Sequence, residues 1–186
     1  ASGGSTERMR LRRDYLHGVL NSYSAQKAEA LFALFARNGT WQVPTLIQRR
    51  AFALPDPHLA SDPRLKYIAL SQRWRWDPMN DARIRGRNPQ DQEIERRLYE
   101  MDRAMIPGML RAGVRFLAGT DSPDPYALPG FGLHDELVQL VSAGLTPMQA
   151  LQSATLNAAE YLGLQNTLGT VTPGKIADLV LLDASP

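Results

Sequence analysis

Cysteine is absent from the 186 residues. That one absence excludes a disulfide framework, a thiolate zinc site and a cysteine nucleophile. Histidine is scarce, with only His17, His58 and His134, and none stands in HxH or HExxH spacing. No self-contained metal site is therefore written in the chain. GxSxG elbows and Walker loops are missing as well, which removes the serine-hydrolase and P-loop signatures. No stretch approaches the roughly 20 consecutive apolar residues of a membrane span. The opening ASGGST has no apolar core for a secretory signal. A starting methionine is also lacking, so the chain reads as a processed or truncated product. Its compartment stays open, with the cytoplasm favoured and no membrane partner expected.

What is present is ordinary globular composition, 44% hydrophobic and 22% charged, in a length suited to one domain or one with a small appendage. The net charge of +2 hides an asymmetry. Residues 1–118 hold 20 of the 21 Lys and Arg against 12 acids, a balance of +8, whereas residues 119–186 hold one Lys against 7 acids, a balance of −6. The arginines are interleaved with acids, as in QDQEIERRLYEMDR, and no run of four basic residues occurs. Solvated helix faces account for them better than nucleic acid, and no nucleic-acid partner is expected.

Along the chain, residues 1–6 read as a flexible end. Ala28, Leu31, Phe32 and Phe35 recur at helical spacing between Ser24 and Asn38, and Gly39 stands where a left-handed C-cap is wanted. TWQVPTL, residues 40–46, reads as a buried strand. Residues 47–90 hold five prolines with Trp74, Trp76 and many arginines, and read as a long loop or lid, or an irregular helical excursion. Asp91 to Ala112 carries Ile94, Leu98, Met101, Met105 and Met109 on one helical face, with Pro107 expected to kink it. VRFLAGT, residues 114–120, is a second apolar strand. HDELVQLVSAG predicts a helix closed by Gly144. Thr146-Pro147-Met148-Gln149 combines a capping box with proline at the first helical position, and Asn157 with Glu160 repeats the box. The stretch 166–186 predicts a β-hairpin about Pro173-Gly174.

Strands separated by helices argue for parallel β/α units. Two such strands cannot close a sheet, whose faces and edges need cover. The pattern therefore reads as part of a larger core.

Asp121 is the leading chemical candidate. It follows an apolar strand directly, at the C-terminal mouth where α/β folds place their active sites. An aspartate there also serves as a turn or cap residue. His134, beside Asp135 and Glu136, reads as a helix cap or a ligand-orienting group. Asp135 and Glu136 suit a helix N-terminus. Asp124 reads as a turn former, and Trp74 and Trp76 as pocket lining or loop packing.

Taken together, GVRFLAGTDSP, LHDELVQLVSAGLTPMQALQSAT and LGTVTPGKIADLVLLD resemble the C-terminal portion of the amidohydrolase superfamily, nearest to its imidazolonepropionase-like and prolidase-like hydrolases. The resemblance is close over 110–183 and weaker back to TWQVPTL. It implies an α/β fold: strands seven and eight of a (β/α)₈ TIM barrel over 7–165, and a returning hairpin of a small β-sandwich domain over 166–186. It also implies a divalent metal, zinc by preference, one or two ions, which lowers the pKa of a bound water. Asp121 matches the family's aspartate after strand eight, so the resemblance makes it metal ligand and proton carrier. The family's HxH, carboxylated lysine and further histidines have no counterpart, so the segment alone is expected to bind metal poorly and catalyse nothing.

The implied substrate is a small-molecule amide, a dipeptide-like compound or a cyclic imide. Arg49, Arg50, Arg73 and Arg75 of the excursion are candidates to receive a substrate carboxylate, Arg73 and Arg75 foremost. The implied partner is the N-terminal part of the same barrel, with a homo-oligomer an open option. A barrel of about 250 residues exceeds this chain. Two other readings compete: a non-catalytic relative or subunit that assembles with another chain, and a basic nucleic-acid-binding module.

Overall fold

The computed structural model describes residues 3–54, 61–77, 80–81 and 83–184, with side chains from residue 7 onward. His58 lies outside the described residues.

Two strands, β1 (Trp41–Gln42) and β2 (Arg115–Phe116), pair in parallel, with Trp41 opposite Arg115 and Gln42 opposite Phe116. The expected parallel pairing is therefore present, but the ladders are far shorter than 40–46 and 114–120. Beyond Gln42 only the Leu117 amide still reaches across, 2.9 Å to the Gln42 carbonyl. Pro44 then removes a donor, and Thr45 turns into the left-handed region at φ 47°.

Eight α-helices accompany this pair among the described residues. They are α1 (Gly3–Ser22), α2 (Ala25–Arg37), α3 (Leu46–Ala53), α4 (Leu70–Trp76), α5 (Pro89–Arg111), α6 (Phe131–Ser142), α7 (Pro147–Ala154) and α8 (Leu156–Tyr161). Helix α1 begins at Gly3, within the stretch 1–6 read as a flexible end. Helix α2 is bounded as the sequence predicts: the Ser24 side chain accepts from the Lys27 amide, and Gly39 sits at φ 63°. Helix α5 opens on a reciprocal capping box between Asn88 and Asp91 and runs through Pro107 to Arg111.

The core gathers where these helices meet the sheet. Phe32 of α2, Leu46 and Ala53 of α3, Tyr99 and Ile106 of α5, Phe116 of β2 and Leu140 of α6 form one buried cluster. Helices α2 and α5 approach closely at Gly108, where a Cβ would lie 3.0 Å from the Phe32 ring. Burial of this apolar surface, at about 25 cal/mol per Å², is what holds the helices to so small a sheet.

Of the readings offered for 47–90, the irregular helical excursion is the one present: the segment contains α3, a 3₁₀ turn at Pro63–Tyr67 and α4. Two expectations are corrected. The Asn157–Glu160 box does not form. Thr155 occupies the N-cap of α8, and Asn157 lies inside the helix, donating to the Phe116 carbonyl at 2.9 Å, while Glu160 pairs with Arg115 at 2.9 Å. The long-range partners outcompete the local cap. Finally, residues 166–184 contain no strand. One rung survives, from the Ile176 amide to the Thr167 carbonyl at 2.9 Å. The Lys175 ammonium gathers the turn by donating to the Gln165 and Leu168 carbonyls and the Thr170 hydroxyl. Val180 and Leu181 are 84% and 98% exposed, so this apolar run has no neighbouring strand to form a ladder with.

Candidate active site

Both strands point their C-terminal ends at the same mouth. There the chain after β1 meets the chain after β2 at Gly119, where a Cβ would fall 2.4 Å from Val43 Cγ1. Only glycine permits that approach. Two residues further on stands Asp121, exposed, at φ 53°. Aspartate tolerates this left-handed conformation better than most side chains. Among the described residues its carboxylate makes no hydrogen bond or ion pair.

Around that free carboxylate the backbone is held tightly. The Asp124 amide donates to the Asp121 carbonyl at 3.1 Å, which bears out Asp124 as a turn former. The Asp124 carboxylate accepts from Gln48 Nε2 at 2.8 Å and pairs with Arg83 at 2.7 Å. The Pro123 carbonyl accepts two donors from α4, Trp76 Nε1 and Gln72 Nε2, each at 3.1 Å. Trp76 is buried, and its ring lies 5.8 Å from that of Tyr126. Trp76 is therefore packing, with a hydrogen bond attached, whereas Trp74 is exposed.

Thr45, Asp121 and Tyr126 are the non-glycine residues with positive φ among the described residues, and all three border this mouth. Such conformations cost about 1–3 kcal/mol each and persist where surrounding contacts over-determine them. For Thr45 the determining contact is Glu136. Its fully buried carboxylate accepts the Leu46 amide at 3.0 Å and the Ile47 amide at 2.8 Å, capping α3 in place of a local side chain. Burial raises the Glu136 carboxyl above its ordinary value, and the two amides partly offset that. From the sequence Glu136 suits a helix N-terminus; the helix it caps lies about 90 positions earlier.

The other candidates separate. His134 is exposed on α6 and makes no hydrogen bond or ion pair among the described residues. Its neighbour Asp135 accepts from Arg64 Nη1 at 2.9 Å, and Tyr67 stacks on Phe131 at 5.6 Å, so the excursion rests on the start of α6. Arg73 turns its Nε to the Ile68 carbonyl at 2.9 Å, and Arg75 is exposed. His17 lies exposed on α1.

Of the four candidate arginines, Arg49 joins a converging group of arginines. A cleft of about 540 Å³ opens between α1, α3 and the start of α5, with Arg12, Arg49, Arg83 and Arg87 in its wall. Gln48 and Arg83 line it too, so it adjoins the Asp121 turn. Its charges are matched internally: Arg12 and Arg87 pair with Glu95 at 2.5 and 3.3 Å, Arg83 with Asp81 at 2.9 Å, and Arg49 with Asp102 at 2.8 Å. Burial lowers Arg87, opposed by Glu95.

For a metal, Asp121 offers an accessible oxygen donor of the right kind. No group of three or more His, Asp or Glu converges among the described residues. They supply one donor and not a complete site.

Residues 74–186, which contain Asp121, match the model of the amidohydrolase family. Three curated proteins show the same likeness over shorter stretches. Adenine deaminase 2 of Jannaschia sp. is 38% identical over 87 residues, 44% of this chain and 14% of that protein. Adenine deaminase 3 of Rhizobium meliloti is 39% identical over 82 residues, 42% and 14%. An adenine deaminase of Desulforamulus reducens is 51% identical over 43 residues, 23% and 7%. The chain thus spans about a seventh or less of the length of these relatives. No solved structure matches it.

Proposed function

The chain belongs to the amidohydrolase family, and from that premise we propose that it forms strands seven and eight of a (β/α)₈ hydrolase, with Asp121 as the carboxylate that handles the proton. The family acts on carbon–nitrogen bonds, generally with a divalent metal, and its fold is the TIM barrel. The observation that carries the reading is the setting of Asp121. An accessible carboxylate stands on a rigidly held turn at the C-terminal end of a parallel strand pair, where barrels place their catalytic groups.

In this reading the substrate is a small molecule with a hydrolysable C–N bond. The exocyclic amine of a purine is favoured by what the relatives are called, and an amide or cyclic imide is the broader class. Water adds to the carbon bearing nitrogen. One Asp121 oxygen accepts the proton that water releases and returns it to the departing nitrogen, so ammonia leaves and the water oxygen stays as a carbonyl. Asp121 would also contribute one oxygen to a divalent metal, zinc by preference, whose chemistry when bound is to acidify water. The remaining ligands would come from parts of the relatives that this chain does not cover.

The test is Asp121→Asn in the intact enzyme. Loss of a proton-transferring carboxylate costs about 10²–10⁴-fold in rate, read as ammonia release from adenine, with a cyclic imide and a dipeptide as comparison substrates. The melt should hardly move, since the side chain is exposed and makes no protein bond. Undiminished turnover by this variant would remove Asp121 from the mechanism.

A further inference from the structure

We propose that Trp76, supported by Gln72, is a positioning residue that fixes the Asp121 turn from helix α4. This rests on the reading of Asp121 as the reacting carboxylate. Position 123 is proline and has no N–H, so its carbonyl is the group by which the protein can grip the turn at that residue. Both donors to that carbonyl come from α4, at positions 72 and 76, one helical turn apart on the same face.

The grip falls between two residues in the left-handed region, Asp121 at φ 53° and Tyr126 at φ 60°. The Trp76 ring packs against Tyr126 at the far end of the same turn. One side chain therefore holds the turn twice, by its N–H in the middle and by its ring at the end. Asp121 itself contributes no side-chain bond to this arrangement. The direction of its carboxylate is set by the backbone, which α4 holds at Pro123 while Gln48 and Arg83 hold it at Asp124. Because α4 belongs to the excursion between the two strands, whatever docks or displaces that excursion also moves the carboxylate. Trp74, two residues away and 64% exposed, is the comparison indole in the same segment.

Two arms test this. In the ¹⁵N-labelled chain, the buried and bonded Trp76 indole N–H should exchange at least about 100-fold more slowly than the exposed Trp74 indole. Trp76→Phe, which keeps a ring and removes the donor, and Gln72→Leu should each shift the amides of residues 121, 122, 124 and 126 while leaving α2 and α7 unmoved. In the intact enzyme, Trp76→Phe should lower kcat about tenfold, the worth of one well-placed hydrogen bond, with KM changed less than twofold. Equal exchange of the two indoles, or an unmoved turn, overturns the proposal, and so does a variant whose kcat is unchanged. If Trp76→Phe does not fold, Gln72→Leu and the native exchange ratio decide on the same criteria. An active Asp121→Asn enzyme would instead defeat the functional reading, with the turn measurements still standing on their own.

Discussion

Glu136, the sixth residue of α6, places its carboxylate 2.8 Å from the amide of Ile47 at the start of α3. The two helices are distant in sequence, and this one side chain closes the end of α3 that Thr45 leaves open. A carboxylate can accept from both Leu46 and Ile47; an amide has one accepting oxygen and would turn its NH₂ toward a donor. Glu136→Gln should therefore lower stability by about 1–3 kcal/mol, measured by urea unfolding. Exchange of the Leu46 and Ile47 amides should rise before that of α5.

At Gly119 the clash is geometric. A methyl group would meet Val43 Cγ1, and β-branched valine has little freedom to turn aside. Gly119→Ala should cost about 1–3 kcal/mol as an overpacking substitution. Val43 is about half exposed, so Val43→Ala alone should cost little. The double variant should recover most of the loss, a coupling that a thermodynamic cycle measures directly.

The tie between α8 and β2 runs through Asn157. Removing its side chain leaves the carbonyl of buried Phe116 without that donor. Asn157→Ala should destabilise by about 1–2 kcal/mol, whereas Glu160→Ala, which breaks a surface ion pair with Arg115, should cost under about 1 kcal/mol. If Asn157 and Glu160 acted merely as a local capping box, the two variants would cost about the same.

Acid should weaken the fold through specific carboxylates. The Arg64 guanidinium holds Asp62 below its ordinary value. For Asp81 burial pulls upward, but the Arg83 side chain and amide outweigh it, and Asp91 is likewise lowered against burial by the Asn88 amide and Arg13. A depressed folded value means that the unfolded chain takes up its proton first as pH falls. The contribution of these groups is therefore present above the ordinary carboxylate range and lost as pH drops through the folded values. Glu136 has the opposite sign: with a raised folded value, its contribution is greatest at low pH and declines as pH climbs. The melting temperature should fall from pH 6 to pH 3, less steeply in Asp62→Asn and more steeply in Glu136→Gln.

What could be read from the sequence was what is decided within a few residues. Ser24 and Gly39 bound α2, and Thr146 with Gln149 closes a capping box on α7, because each cap bonds to an amide or carbonyl one turn away. The parallel strands and the position of Asp121 after the second were legible from apolar runs between helices. Asn157 shows the limit. Its local pattern favours a cap, and a carbonyl 41 positions earlier wins the side chain instead. Helices α3 and α4 were hidden for a related reason: charged residues interrupt their short apolar faces, and their placement depends on Glu136 and on the Asp121 turn. The cleft arginines were invisible as a group because α1, α3 and α5 converge on it only in three dimensions. The family's branch is a separate matter. The imidazolonepropionase-like or prolidase-like assignment stays an expectation, since the relatives found carry the name adenine deaminase.

Helix α1 differs from every other long helix in how it is attached. None of its residues from 7 to 22 is buried, and Leu11 and Tyr15 face solvent. It meets α5 through Arg12 with Glu95 and Arg13 with Asp91. Charge moors this helix beside the half-buried Met9, Leu16, Val19 and Leu20, so added salt should loosen it before it touches the core. At 1 M ionic strength the screening length shrinks to about 3 Å, and α1 should then fray and open to proteases while the Phe32–Leu140 core still holds.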